Sequence, residues 1–184
     1  DYPAELDIPI PFSLISNDVT KDELVVMPAY WFQYNLYALS RNAWKYEARD
    51  KRIEKFQRLE FDFLAPDSMM EILKSMAILE EICGKAYEKK FPNDSNKSIH
   101  SIQEKGKELL QSNDPVLQEL IFFASGWENS KRKIRVIKLV EAYYRFNQVL
   151  HYYPIYCLTK FYADADLSDG RLIENLISEI TEPE

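Results

Sequence analysis

The strongest constraint on the fold comes from apolar residues between positions 66 and 91, which recur at helical spacing. Pro66 and Ser68 precede this run, and Glu71 follows Ser68 by three residues, which is the pattern of a capping box. The segment is therefore predicted to be a long amphipathic helix. Its apolar face is made by Met69, Ile72, Leu73, Met76, Leu79 and Ile82.

Other segments predict one hairpin and further helices. Residues 6–27 contain two β-rich runs on either side of a polar turn at residues 16–23, which is typical of a β-hairpin. Pro9 and Pro11 lack the amide hydrogen that a central strand donates, so the first run is predicted to be an edge strand or an extended arm. Further helices are predicted at about 29–46 or slightly beyond, around 109–110, and from 169 to 180. Another is predicted to start at Asn113-Asp114-Pro115, which supplies a cap and a first-turn proline. A long helix is predicted from 130 until Pro154 kinks or ends it.

These patterns predict a mainly α fold, an irregular bundle of five to seven helices with a small N-terminal β-hairpin. Only four glycines occur in 184 residues, which argues against an all-β architecture rich in tight turns. A chain of this length buries enough apolar surface for one core. The predicted organisation is a hairpin or extended arm over residues 1–27 and a helical domain over residues 28–184.

The composition predicts a soluble protein of the reducing cytoplasm. The net charge is −7, no signal segment opens the chain, and no apolar stretch approaches the roughly 20 residues of a membrane span. Cys83 and Cys157 show no pairing or metal-binding pattern and are predicted to be reduced thiols. An acidic chain disfavours nucleic-acid phosphates, so neither nucleic acid nor membrane is an expected partner. Because the first residue is Asp1, we expect that another segment precedes it.

The candidate binding residues lie in the run PAYWFQYNLYALSRNAWKYEARDKRIEKFQR at positions 28–58, where aromatic residues give way to cations. Between positions 41 and 58, seven cations stand against three acids, although the whole chain is acidic. On a helix, Tyr30 and the residues after it at steps of three or four would form one stripe. The ligand-binding candidates are Tyr34, Tyr37, Arg41, Lys45, Arg49, Lys51 and Arg52.

Three roles remain open for this stripe. It suits an anionic ligand such as a sugar nucleotide or phosphate, because guanidinium groups bind phosphate and tyrosine rings cover a sugar or base. Alternatively, the tyrosines belong to the core and the cations form a solvated face that pairs with Glu47, Asp50, Glu54 and the acidic tail. The third role is an interface with another domain or subunit, since Tyr, Trp and Arg often anchor such contacts.

A second basic run, KRKIRVIK at residues 131–138, lies at the start of a predicted helix. Cations there oppose the helix dipole, so the run favours an acidic partner. The tail at residues 163–184 holds seven acidic residues and one arginine and is the expected partner.

Catalytic and metal-binding patterns are scarce. Neither His100 nor His151 has a nucleophile or carboxylate at motif spacing, and the chain lacks a phosphate-binding glycine loop, a nucleophile elbow and a dinucleotide fingerprint. The paired carboxylates at 80–81 are interpreted as surface charge or helix periphery, and the aromatic residues at 143–162 as core. No catalytic residue, metal site or cofactor is predicted.

Two segments resemble a known group of proteins. VVMPAYWFQYNLYALSRNAWKYEARDKR and RLEFDFLAPDSMMEILKSMAILEE, within residues 10–85, resemble the region after the left-handed β-helix in large, uncharacterised bacterial hexapeptide-repeat proteins. Those proteins are often labelled as similar to sugar-nucleotide pyrophosphorylases or acyltransferases. The matching positions are residues 61–66 and Pro28, Arg41, Trp44, Lys45, Arg49, Asp50, Lys51 and Arg52.

The resemblance implies that the hairpin is the edge of an upstream β-helix module and that the helices pack against that module. It implies no reaction, because this chain has no hexapeptide rungs of its own. The first hypothesis is a helical accessory domain of such a protein, whose basic and aromatic helix face binds an anionic ligand or a neighbouring domain. The alternative is a structural oligomerisation or protein-interaction domain without a ligand. A self-contained transferase is a third hypothesis, but the chain shows no base or nucleophile for it.

Overall fold

The computed structural model describes residues 5–54, 56–57, 59–92 and 98–164. The described part of the chain divides into two compact units after residue 148. In chain order the elements are β1 (Leu14–Asp18), β2 (Glu23–Met27), α1 (Tyr30–Tyr34), α2 (Leu36–Arg49), α3 (Pro66–Lys90), α4 (Ile99–Ser112), a 3₁₀ helix (Pro115–Glu119), β3 (Phe122–Ala124), β4 (Lys133–Val136) and α5 (Leu139–Asp164).

The fold is mixed α/β, so the prediction of a mainly α bundle was wrong. Four strands form one sheet in the order β1-β2-β4-β3. β1 and β2 make the predicted antiparallel hairpin, but β2 also pairs in parallel with β4, and β4 pairs antiparallel with β3. Whether the hairpin also borders an upstream β-helix module stays a prediction.

The strand β4 comes from the second basic run, which was predicted to be helical. In Lys133–Val136 cations alternate with apolar residues, and successive side chains of a strand point to opposite faces of the sheet. Ile134 and Val136 are each 2 % exposed and share the buried face with Leu24 and Val26 of β2. The side chains of this segment therefore alternate with the two-residue period of a strand, and the pairing with β2 favours the strand over the predicted helix.

Aromatic rings join the short helix α1 to the rest of the core. The ring of Phe32 lies 4.5 Å from that of Phe12 and 6.5 Å from that of Phe146, measured between centroids. It also contacts Phe63, in the segment before α3. Phe32 is buried while its neighbours in sequence are only partly covered or exposed, so it anchors α1.

The helices α3 and α4 pack closely because each has a glycine where they meet. A Cβ atom added to Gly84 would lie 1.9 Å from the carbonyl oxygen of Ile102, and one added to Gly106 would lie 1.9 Å from the carbonyl oxygen of Glu80. Neither position has room for a side chain. This close approach explains two glycines inside helices, where glycine is otherwise unfavourable.

Several element ends differ from the sequence predictions. The long helix α3 is confirmed, but it begins at Pro66 without a side-chain cap, so Ser68 and Glu71 form no capping box. Asp114 does cap the next segment, accepting a hydrogen bond from a backbone amide, but that segment is a 3₁₀ helix. Pro154 lies inside α5 and does not end it. The helix predicted over 169–180 lies outside the described residues.

Candidate binding surfaces

The predicted stripe of tyrosines and cations is divided between two helices. α1 ends at Tyr34 and α2 begins at Leu36, and Asn35 between them has φ −144° and ψ 33°, outside the helical region. Tyr30 and Tyr34 are neighbours on α1, with 5.6 Å between their ring centroids. The prediction of one continuous helix through these tyrosines and the following cations was therefore wrong.

The rest of the stripe lies along one side of α2. Tyr37, Arg41, Lys45 and Arg49 follow one another at steps of four residues, which places them in a row along the helix. The guanidinium carbon of Arg41 lies 6.0 Å from the centroid of the Tyr37 ring, which is a cation–π contact. Trp44 is three residues after Arg41 and extends the aromatic part of the row. We call these five residues the α2 surface.

The two cations that follow α2 directly, Lys51 and Arg52, differ in whether they have a partner. Arg52 donates hydrogen bonds from Nε and Nη2 to the two carboxylate oxygens of Asp50, at 2.8 Å each, and from Nη1 to the carbonyl oxygen of Gln57. The bonds to Asp50 raise the pKa of Arg52 and orient its side chain back toward its own loop. Lys51 is exposed and forms no ion pair with any described residue. Arg52 therefore stabilises the loop, whereas Lys51 is an exposed cation without an ion pair among the described residues.

No residue of α2 is buried, which distinguishes it from the other helices that the structure describes. Tyr37, Trp44 and Tyr46 are 76 %, 70 % and 63 % exposed. Within the described part of the chain, Lys45 and Arg49 form no ion pair. The aromatic rings, Arg41 and Arg49 are therefore exposed to a partner, whereas Lys45 is half-buried.

In the second basic run, Arg132 is committed to a buried pair. It bonds both carboxylate oxygens of Glu128, at 2.9 Å from Nε to Oε2 and by a shorter contact from Nη2 to Oε1, and it donates to Asn17 of β1. The Glu128 side chain is fully buried and also accepts a bond from the Ser130 hydroxyl. The hydrogen bonds from Arg132 and Ser130 lower the pKa of Glu128. This arginine joins the hairpin to the loop before β4. The predicted acidic partner, the tail at residues 163–184, lies outside the described residues from position 165 onward.

Glu80 is a buried carboxylate, so its interpretation as surface charge was wrong. It accepts hydrogen bonds from the Tyr143 hydroxyl at 2.9 Å and from Nε2 of Gln103 at 3.1 Å, and these bonds connect α3, α5 and α4. Burial and the adjacent carboxylate raise the pKa of Tyr143, so its hydroxyl remains a donor. The sequence did indicate that Glu80 is buried. Ile72, Met76 and Glu80 are spaced by four residues, which places Glu80 on the apolar side of α3.

The two thiols and His100 lie in described parts of the chain and differ in exposure. Cys83 is buried, which raises its pKa to about 12, and Cys157 is exposed; both are free. His100 is exposed and its Nε2 lies 3.3 Å from a carboxylate oxygen of Glu104. Throughout the described ranges, no three His, Cys, Asp or Glu residues lie close enough together to hold a metal ion. Nor is any described helix long and apolar enough to cross a membrane.

An open cleft of about 790 Å³ lies between α1, the end of α4 and the start of α5. Of the predicted binding residues only Tyr34 lines it, and the cations of the α2 surface are not part of it. The cleft was not predicted, because its walls come from three segments that are distant in sequence. Its lining consists of Gln33, Tyr34, Leu110, Gln111, Asn113, Val140, Glu141, Tyr143, Tyr144, Arg145 and Asn147.

Comparison with known proteins identifies one similar sequence but no family. The chain is 35 % identical over 162 residues to an uncharacterized protein of Treponema pallidum (strain Nichols). The match covers 88 % of this chain and 21 % of the relative, so the chain spans about a fifth of that protein's length. No protein-family model and no solved structure matches the chain. Membership of the hexapeptide-repeat group therefore stays a prediction.

Proposed function

We propose that this chain is an accessory interaction module of a longer protein and that its α2 surface binds an anionic partner. The observation that supports this proposal is that α2 packs no residue into the core although it carries exposed aromatic rings and cations that form no ion pair with a described residue. Tyr, Trp and Arg are the residue types that most often anchor interfaces. The similarity to a fifth of a longer relative also favours a module.

The partner in this proposal is first of all a neighbouring domain of the same parent protein. By the family resemblance, that neighbour would be a left-handed β-helix of sugar-nucleotide type, and the α2 surface would either dock on it or hold an anionic ligand bound there. Cations that lie beside aromatic rings suit both a carboxylate-rich protein surface and a phosphate group. The role assigned to this chain is positioning, with no chemical step.

A structural oligomerisation role is the second candidate, and the other side of α2 favours it. Leu36 and Tyr46 are 49 % and 63 % exposed on that side, so two copies of α2 have apolar residues to bury against each other. Light scattering of the 184-residue chain distinguishes this role. A dimer or trimer that Leu36→Asp dissociates supports it, and a monomer at micromolar concentration refutes it.

Charge reversal on the α2 surface tests the first proposal. The test variant is Arg41→Glu with Lys45→Glu, and the matched control is Lys74→Glu with Lys107→Glu, which makes the same charge change on exposed parts of α3 and α4. Binding is measured by biolayer interferometry between each form and the remainder of the parent protein, at low and high salt. Thermal unfolding with added inorganic phosphate or UDP-glucose tests the small-ligand form of the proposal.

The α2 variant should bind the remainder of the parent protein at least roughly tenfold more weakly, mainly through slower association, because surface charges steer encounter. The control should bind within a factor of about two of the unchanged chain. If both variants lost the same affinity, the loss would come from the overall charge of the chain and not from the α2 surface. No binding by the unchanged chain to either the parent protein or the phosphate-containing ligands would refute the proposal.

A further inference from the structure

The cleft between α1, α4 and α5 presents phenol rings and amide groups to solvent. Tyr34 of α1 and Tyr144 of α5 are 57 % and 62 % exposed, so both rings are accessible to a ligand. Side-chain amides supply most of the remaining polar lining, and they are Gln33, Gln111, Asn113 and Asn147. Amides and phenols each donate and accept hydrogen bonds, whereas lysine and arginine only donate and carboxylates only accept.

The charged groups at the cleft already have partners. The lining holds one acid, Glu141, and one cation, Arg145. Glu141 accepts a hydrogen bond from Nζ of Lys138 at 3.0 Å, and Nη1 of Arg145 donates to the amide oxygen of Gln148 at 2.8 Å. With Lys138 included, these groups leave a single positive charge at the cleft, on Arg145.

One wall of the cleft is held rigidly by the buried cluster described above. Tyr143 lines the cleft but is only 6 % exposed, and its hydroxyl donates to Glu80, which also holds Gln103. Because three helices share this cluster, Tyr144, the next residue along α5, has a fixed backbone position. A site with a rigid wall loses less entropy when it binds a ligand.

Strained backbone residues occur where the chain enters or leaves each of the three walls. Ala29 before α1, Asn113 after α4 and Lys138 before α5 have φ of 54°, 51° and 57°, in the left-handed region. Asparagine tolerates this conformation, but alanine and lysine pay roughly 1 kcal/mol or more. Strain of this kind is retained where the surrounding structure requires it, and it often accompanies binding sites.

We propose that the cleft binds one ring of a saccharide. Each sugar hydroxyl both donates and accepts a hydrogen bond, as do the amides and phenols of the lining, and the two accessible tyrosine rings can pack against the C–H face of the sugar. The volume of about 790 Å³ falls within the range of roughly 300–1,000 Å³ that is usual for small-ligand sites. This site is separate from the α2 surface and does not depend on the proposed function.

Saturation-transfer NMR on the 184-residue chain tests the proposal. The probes are the methyl glycosides of glucose, galactose, mannose and N-acetylglucosamine, together with a capped trialanine peptide as a competing class of ligand. The test variants are Tyr34→Ala and Tyr144→Ala. Tyr152→Ala is the matched control, because Tyr152 is 53 % exposed and does not line the cleft. Tyr144→Phe keeps the ring and should keep the binding within a few-fold.

At least one glycoside should receive saturation, and each test variant should weaken its affinity by roughly tenfold, the most that one aromatic contact contributes. The control should bind as the unchanged chain does. Thermal unfolding midpoints check that the variants remain folded, and Tyr144→Phe provides a binding result even if an alanine variant does not fold. Transfer to no glycoside, transfer only to the peptide, or transfer that both Tyr34→Ala and Tyr144→Ala leave unchanged would overturn the proposal.

Discussion

Replacing Gly84 by alanine is expected to destabilise the protein, although alanine is the better helix former. The new Cβ atom would lie 1.9 Å from the carbonyl oxygen of Ile102 and 2.7 Å from its carbonyl carbon, both of them backbone atoms of α4. Carbon atoms in contact are usually about 3.5 Å or more apart, so the two helices would have to separate by roughly 1.5 Å. A backbone group cannot rotate away as a side chain does.

The expected magnitude follows from two opposing contributions. Alanine stabilises a helix by about 1 kcal/mol relative to glycine. Overpacking a close contact costs about 1–3 kcal/mol, and the upper end applies at Gly84 because backbone must move. The net loss is therefore about 2 kcal/mol, which corresponds to a fall of roughly 4–8 °C in the unfolding midpoint of a chain of this size.

Urea unfolding followed by circular dichroism measures this loss, and Ala77→Gly provides the reference. Ala77 is exposed on the same helix, so its replacement by glycine measures the propensity contribution without the contact. That variant should lose about 1 kcal/mol. If Gly84→Ala were as stable as the unchanged chain, or more stable by the free energy of unfolding that Ala77→Gly loses, the close approach of α3 and α4 would be refuted.

Two further predictions concern ionisation and thiol reactivity. The lowered pKa of Glu128 means that its ionised form stabilises the folded state above the ordinary value of 4.5, and that this stabilisation disappears as the pH falls below that value. The urea midpoint of Glu128→Gln should therefore lie below that of the unchanged chain at pH 7, and the gap should shrink toward pH 3; a constant gap would contradict this reasoning. With a thiol reagent at pH 8, Cys157 should react in the folded protein and Cys83, buried with a pKa of about 12, only after unfolding. Equal rates for the two thiols would show that Cys83 is accessible.

Sequence patterns predicted the elements that depend on nearby residues. The helix α3 was found from its apolar spacing, the hairpin from two β-rich runs around a polar turn, and the Asp114 cap from its position before a proline. The sequence predictions were wrong where a local pattern is compatible with two kinds of secondary structure. The residues of β4 alternate like a strand, but the apolar residues after them also fit the start of a helix, and the wrong period was chosen.

The sequence by itself determined the long helix α3 and the β1-β2 hairpin, because turns and apolar periodicity involve residues only a few positions apart. The tertiary structure alone decided which distant residues meet. The strands β2 and β4 pair in parallel, beginning with Glu23 opposite Lys133. The Glu80 carboxylate accepts a hydrogen bond from Tyr143, 63 positions away in the chain. The cleft likewise exists only because α1, α4 and α5 converge, and only the folded chain shows that α2 contributes no buried residue to the core. Burial depends on all neighbours in space, and no window of sequence contains them.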